Sequence, residues 1–204
     1  MNKIITISRE YGSGGREIGR RLSEAFGIPM YDKDLIVRTA KESGFCEEII
    51  TKHEERPTNS FLYNLVMDAY SFGISGSTVD NLPIEQKVFL AQYDTIKKIA
   101  AEGPCIIVGR CADYVLEEND NVIKLFISAD MKDRMARVNE GKNLSDKQLK
   151  DLIEKNDKTR ASYYNYYSDK KWGNIKSYDL CINSSMLGIE ETANFLIDYI
   201  KKCQ

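Results

Sequence analysis

Lys3 to Ser8 reads Lys-Ile-Ile-Thr-Ile-Ser, a short apolar and β-branched run, and it is broken at once by Gly12, Ser13, Gly14 and Gly15. A run of this kind is a buried strand. Beyond the glycines, Ile18, Leu22 and Phe26 recur at i, i+4 and i+8, which marks one face of a helix, and Gly27 ends it. A strand that enters a helix through a glycine turn commits the chain to a layered α/β architecture, because both the strand and the helix face must be covered.

The rest of the chain repeats the pattern. Ile28 to Tyr31, Cys105 to Val108, Val122 to Ser128 and Tyr178 to Asn183 read as further short strands. A second helix starts at Asp32, and a long helix starts at Pro83 and stops at Gly103-Pro104. Met131 to Asn139 and Leu144 to Tyr164 read as charged helices, and a closing helix buries Ile189, Ala193, Leu196, Ile197 and Ile200. Residues 46 to 82 hold Pro57 and a Gly/Ser cluster and read as helical segments joined by a mobile loop. Short apolar strands alternating with helices predict a parallel sheet covered on both faces, with ligands beyond the C-terminal strand ends.

Composition narrows the function. The chain has 204 residues, enough for one α/β domain, and a formal net charge of -2. A global basic field for nucleic-acid polymers is therefore missing, and an anion site must come from local arginines and backbone amides. Five cysteines without a CxxC pair, and one histidine, argue against a zinc site and for a reducing, cytoplasmic setting. Cys105 and Cys181 read as buried thiols. No apolar run approaches the roughly 18 residues of a membrane span.

Four groups of residues carry chemistry. The glycine loop at a helix N-terminus offers N–H groups and a favourable dipole to phosphate, and Arg16 adds a cation. Asp32 sits at a strand end, with Arg38 about one and a half turns into the next helix. Arg110 follows Gly109 at the mouth of a buried strand. Arg134, Arg137, Asp157 and Arg160 lie in the charged helices. Tyr163, Tyr164, Tyr166, Tyr167 and Trp172 suit the packing of a lid onto its core.

In this order and spacing the pieces ITISREYGSGGREIGRRL, IPMYDKDLI, GPCIIVGRCADYVL, DKTRASYY and YDLCINSSMLGIEE resemble the cytidylate kinase-like family of P-loop kinases. The resemblance implies a single three-layer α/β/α P-loop NTPase domain. Its core is about 1–45, 83–130 and 175–204, with mobile insertions: an NMP-binding one at about 46–82 and a lid at about 131–170. By position, Gly12, Ser13, Gly14, Gly15, Arg16 and Glu17 match the ATP phosphate loop, and Arg134 and Arg137 surround the transferring group. Asp32, Arg38, Arg110, Asp157 and Arg160 are carried over as acceptor contacts, and Arg16, Arg110 and Arg160 as catalytic cations.

The chain departs from the family pattern in places. The strict GxxxxGK[ST] signature is absent. An ungapped match puts Gly15 at the lysine position and Glu17 at the Mg²⁺-binding Ser/Thr position, and a shift of one puts Arg16 at the lysine position. Val108 and Cys111 replace the aspartates of Asp-Gly-Arg-Asp, with Asp113 the nearest substitute for the second. Lys33 replaces a serine. The resemblance implies ATP and Mg²⁺ as cofactors, with the metal ligands unassigned, and phosphoryl transfer to a small nucleotide, CMP or dCMP first. A kinase for another small metabolite and a non-catalytic nucleotide-binding module remain the alternatives. The oligomeric state is left open.

Overall fold

A computed structural model describes residues 3–53 and 82–203. Five strands form one fully parallel sheet: β1 (Ile4–Arg9), β2 (Met30–Tyr31), β3 (Ile106–Val108), β4 (Val122–Ser128) and β5 (Leu180–Asn183), in the order β2-β3-β1-β4-β5. The helices are α1 (Gly15–Phe26), α2 (Asp34–Ser43), α3 (Glu47–His53), α4 (Ile84–Glu102), α5 (Ala112–Val115), α6 (Met131–Asn139), α7 (Asp146–Tyr167) and α8 (Gly188–Lys202). Much of the expected insertion at 46–82 lies outside the described residues.

The alternation of side chains along each strand builds two cores. Ile5, Ile7, Ile106, Val108, Ile123, Leu125 and Ile127 pack with Ile18 and Leu22 of α1 and with Ala193, Leu196 and Ile200 of α8. Ile4, Ile107 and Val122 face the other way, onto Leu35, Ile96, Ile99 and Val115 of α2, α4 and α5. This is the three-layer arrangement that the strand–helix alternation predicts.

Element ends follow local chemistry. Pro29 has no N–H to donate, so β2 is shorter than the apolar run, although Pro29 O still accepts from Ile106 N at 2.9 Å. α7 starts at a capping box in which Ser145 Oγ accepts from Gln148 N–H and Gln148 Oε1 accepts from Ser145 N–H. Its tyrosines lock its C-terminal half to α4: Phe89 stacks on Tyr167 with ring centroids 3.9 Å apart, and Tyr163 packs edge-on to Phe89. Cys105 is buried, and desolvation pushes its thiol up to about 12, which keeps it protonated. Cys181, expected to be buried, is only half-buried, because β5 is an edge strand.

Among the described residues no helix is long and apolar enough to cross a membrane.

One buried polar contact joins the layers. Asp113, at the start of α5, is 2 % exposed and accepts from Tyr164 Oη of α7 at 2.6 Å. Desolvation pushes its carboxyl above the usual range, outweighing the hydrogen bond from Tyr164.

Two predictions follow from this core. Leu22→Ala should lower stability by about 2–5 kcal/mol in chemical denaturation, whereas Phe195→Ala, at a half-exposed site, should stay within about 0.5 kcal/mol. Asp113 binds its proton more tightly folded than unfolded. Its contribution is complete below the ordinary carboxylate range and declines as pH rises through the raised folded value. Asp113→Asn, neutral at every pH, should therefore gain on the parent as pH rises above the ordinary carboxylate range. A constant gap between the two unfolding curves would refute the burial argument.

Candidate active site

The turn between β1 and α1 is held by its carbonyls. Arg160 Nη1 of α7 donates to Arg9 O at 3.1 Å, and Ser13 N–H donates to Glu10 O at 3.3 Å. Arg134 Nε of α6 donates to Tyr11 O at 2.8 Å, and Arg137 Nη1 to Gly12 O at 3.2 Å. Ser184 Oγ, just past β5, donates to Ser13 O at 2.7 Å, and Ile18 N–H to Gly14 O at 2.9 Å. Every carbonyl from residue 9 to residue 14 thus has a donor.

A trans peptide points its C=O and the following N–H in opposite directions. Pulling Tyr11 O toward α6 turns the Gly12 N–H the other way, and pulling Ser13 O toward Ser184 does the same for the Gly14 N–H. Among the described residues, no main-chain or side-chain acceptor receives the N–H groups of Gly12, Gly14, Gly15, Arg16 or Glu17. The last three belong to the first turn of α1, where no intrahelical partner exists. The result is a nest of donors at the positive end of a helix, which is anion-binding geometry.

The close fit needs glycine. Gly12 and Gly14 have φ of 78° and 82°. A Cβ on Gly12 would lie 2.8 Å from Val138 and 3.0 Å from Arg134 O, and one on Gly14 would lie 2.8 Å from Ile189.

The nest opens into a cleft of about 1080 Å³ at the C-terminal ends of the strands. Eight cationic side chains line it (Arg9, Arg16, Arg20, Lys33, Arg110, Arg137, Lys142 and Arg160) against four carboxylates, Glu10, Glu17, Asp32 and Glu140. In a chain of net charge -2 this is a concentrated local positive field. Asp32, at the end of β2, ties two of the cations together: its oxygens lie 2.8 Å from Arg16 Nε and 3.6 Å from Arg110 Nη1. Arg160 also lies over the Tyr11 ring at 5.4 Å. Arg110 is 4 % exposed and sits in a turn in which Gly109, Arg110 and Cys111 all have positive φ (81°, 52° and 55°).

Of the residues expected here, Gly12, Gly14, Gly15, Arg16, Glu17, Asp32, Arg110, Arg137 and Arg160 line the cleft. Ser13 does not: its side chain is fully buried behind the loop. Arg38 does not reach the site. α2 carries it back along the sheet to the stretch before β3, where it pairs with Glu42 at 2.8 Å and grips Glu102 with both terminal nitrogens. Arg134 and Asp157 pair with each other behind the loop, outside the lining. Asp113, buried against Tyr164, is no substitute for a cleft aspartate.

Sequence reasoning missed Arg9, Arg20, Lys142, Asn156 and Ser184. Arg9 had a signal, since it directly follows the strand that enters the loop. Ser184 had none, because its role depends on β5 lying beside β4.

Among the described residues no three His, Cys, Asp or Glu side chains gather as a metal cage. Glu17 and Asp32 line the cleft, but Glu17 accepts from Arg20 and Arg21 and the Asp32 oxygens face Arg16 and Arg110, so in this arrangement neither carboxylate is open to a magnesium ion.

Comparison with known proteins agrees with this geometry. Residues 4–186 match the model of the cytidylate kinase-like family. A cytidylate kinase of Pyrobaculum aerophilum is 23% identical over 199 residues, covering 96% of this chain and 91% of its own. An uncharacterized protein from Eubacterium ventriosum superposes with a TM-score of 0.71 at 28% identity, covering 98% of both chains. A shikimate kinase from Bacteroides thetaiotaomicron shares the fold alone, with a TM-score of 0.54 at 14% identity over 98% of this chain and 99% of its own. The matched span takes in the glycine loop, the strand mouths and the arginine-bearing helices, and the chain belongs to the cytidylate kinase-like family.

Proposed function

We propose that this kinase transfers the γ-phosphoryl group of ATP to a nucleoside monophosphate, with CMP or dCMP the first candidates. The observation that carries the reading is the donor nest opening into a cleft whose lining holds twice as many cations as carboxylates. Such a site suits two phosphorylated substrates meeting end to end.

In this reading the N–H groups of Gly12 and Gly14 to Glu17 hold the ATP phosphates. Arg16, Arg137 and Arg160 gather around the transferring group, whose charge spreads over its oxygens in the transition state. Arg110 and Lys33 face the acceptor from the β2–β3 side of the cleft. Positioning and charge neutralisation do most of the work, since in-line transfer asks little covalent chemistry of the protein. Glu17 and Asp32 hold arginines of the site, so charge neutralisation by the chain's own groups falls to the cations of the cleft.

A second reading draws on Arg38. The family resemblance gives it the acceptor phosphate, yet it is paired with Glu42 and Glu102 away from the cleft. That favours an acceptor gripped by fewer arginines, such as another small metabolite.

Turnover with MgATP and a panel of monophosphates and hydroxylated metabolites separates the readings. CMP or dCMP should accelerate ADP release above the water background, and a panel in which no monophosphate does so would sink the first reading. Arg16→Ala should lower the rate at least about tenfold, equivalent to about 1.4 kcal/mol of transition-state stabilisation. Arg110→Ala should raise the acceptor KM or lower kcat with ATP affinity nearly unchanged. Equal weakening of ATP and acceptor would move Arg110 to the donor side.

A further inference from the structure

We infer that Arg134 and Asp157 are positioning residues that set the main chain of the phosphate loop and do not contact the nucleotide. The inference rests on reading the cleft as a polyphosphate site, and it reassigns two residues that family resemblance places at the ATP phosphates and the nucleotide sugar.

Between them, the pair holds both main-chain polar atoms of Tyr11. Arg134 Nε donates to Tyr11 O at 2.8 Å, and Asp157 Oδ1 accepts from Tyr11 N at 2.7 Å. The other oxygen of Asp157 accepts from Arg134 Nη2. Arg134 Nη1 lies 3.3 Å from Glu10 Oε2, and that carboxylate also accepts from Ala129 N at 3.0 Å. All three nitrogens of the guanidinium are therefore committed, and its side chain is only 5 % exposed. Three of its five N–H groups meet partners behind the loop and Arg134 does not line the cleft, so the fork is turned away from a phosphate bound there.

The geometry explains what such a grip achieves. Tyr11 O and Gly12 N–H share one peptide plane, so the Arg134 contact aims the first donor of the nest. The two residues come from α6 and α7, and Arg160, three positions after Asp157 on α7, holds Arg9 O from the same helix. Loop and charged helices are thereby set as one unit. A shift of α7 would pull on the Glu10–Tyr11 peptide directly and, through Arg134, on the Tyr11–Gly12 peptide, and it would carry Arg160 of the cleft lining with it.

The test is calorimetric titration of Asp157→Asn with MgATP and, separately, with magnesium and inorganic tripolyphosphate, which has no sugar or base. A positioning role weakens both by the same factor, at least tenfold. It also speeds amide exchange in the ligand-free loop, residues 9–17, with exchange in β3 and α4 unchanged. Loss of ATP affinity with tripolyphosphate bound as in the parent would overturn the inference and return Asp157 to the sugar. Unchanged affinity for both would overturn it as well.

Should the parent bind neither compound, the kinase reading fails, and amide exchange alone decides the loop claim: faster loop exchange supports it, and an unaltered loop refutes it. Arg134→Lys keeps the charge but loses the fork, so it must show the same pattern. It takes the place of Asp157→Asn if that variant does not fold.

Discussion

The anion nest depends on where the loop carbonyls go. A glycine turn by itself can present C=O or N–H groups to a ligand, and only the N–H groups suit phosphate. Here each carbonyl from Arg9 to Gly14 has a donor, four of them side chains from Arg134, Arg137, Arg160 and Ser184. Those side chains belong to α6, α7 and the end of β5, so the nest exists only once the distant half of the chain has folded onto β1. The fold thereby does with arginine forks what a single lysine in the signature loop cannot do, which is to orient several peptides at once.

The same arrangement concentrates charge. The cations in and around the cleft are balanced by Asp32 between Arg16 and Arg110, by Glu17 beside Arg20 and Arg21 and, behind the loop, by Asp157 and Glu10 around Arg134. The exposed pairs contribute little to stability. The Arg134 cluster differs, because Arg134 is buried and removing Asp157 leaves it Glu10 as its remaining carboxylate.

Much of the frame was legible from local pattern. β4 and α6 were read to the residue, since an apolar run bounded by polar residues and a short amphipathic helix need no distant information. α7 runs to Tyr167, three residues past its sequence reading, because its last tyrosines find Phe89 on α4. Arginine roles were the least legible part. The sequence shows that Arg38 is a cation on a helix, but Glu102, its partner, is 64 positions away. Arg134 meets Tyr11 across 123 positions. Charge type is local information and charge pairing is not, so charge and resemblance sent both residues to the ligand.

The turn at Gly109-Arg110-Cys111 has an evolutionary consequence. Side chains other than glycine resist the left-handed region, at a cost of roughly 1–2 kcal/mol per residue, and Arg110 adopts it while buried at the cleft. Glycine at this position would relax the backbone and spare the burial of a cation, at the loss of the contacts Arg110 makes with Asp32 and Val108 O. With Arg110 in the proposed acceptor role, backbone relaxation and chemistry pull in opposite directions at residue 110. A lineage released from the second would be expected to drift to glycine or asparagine there before its core showed any decay.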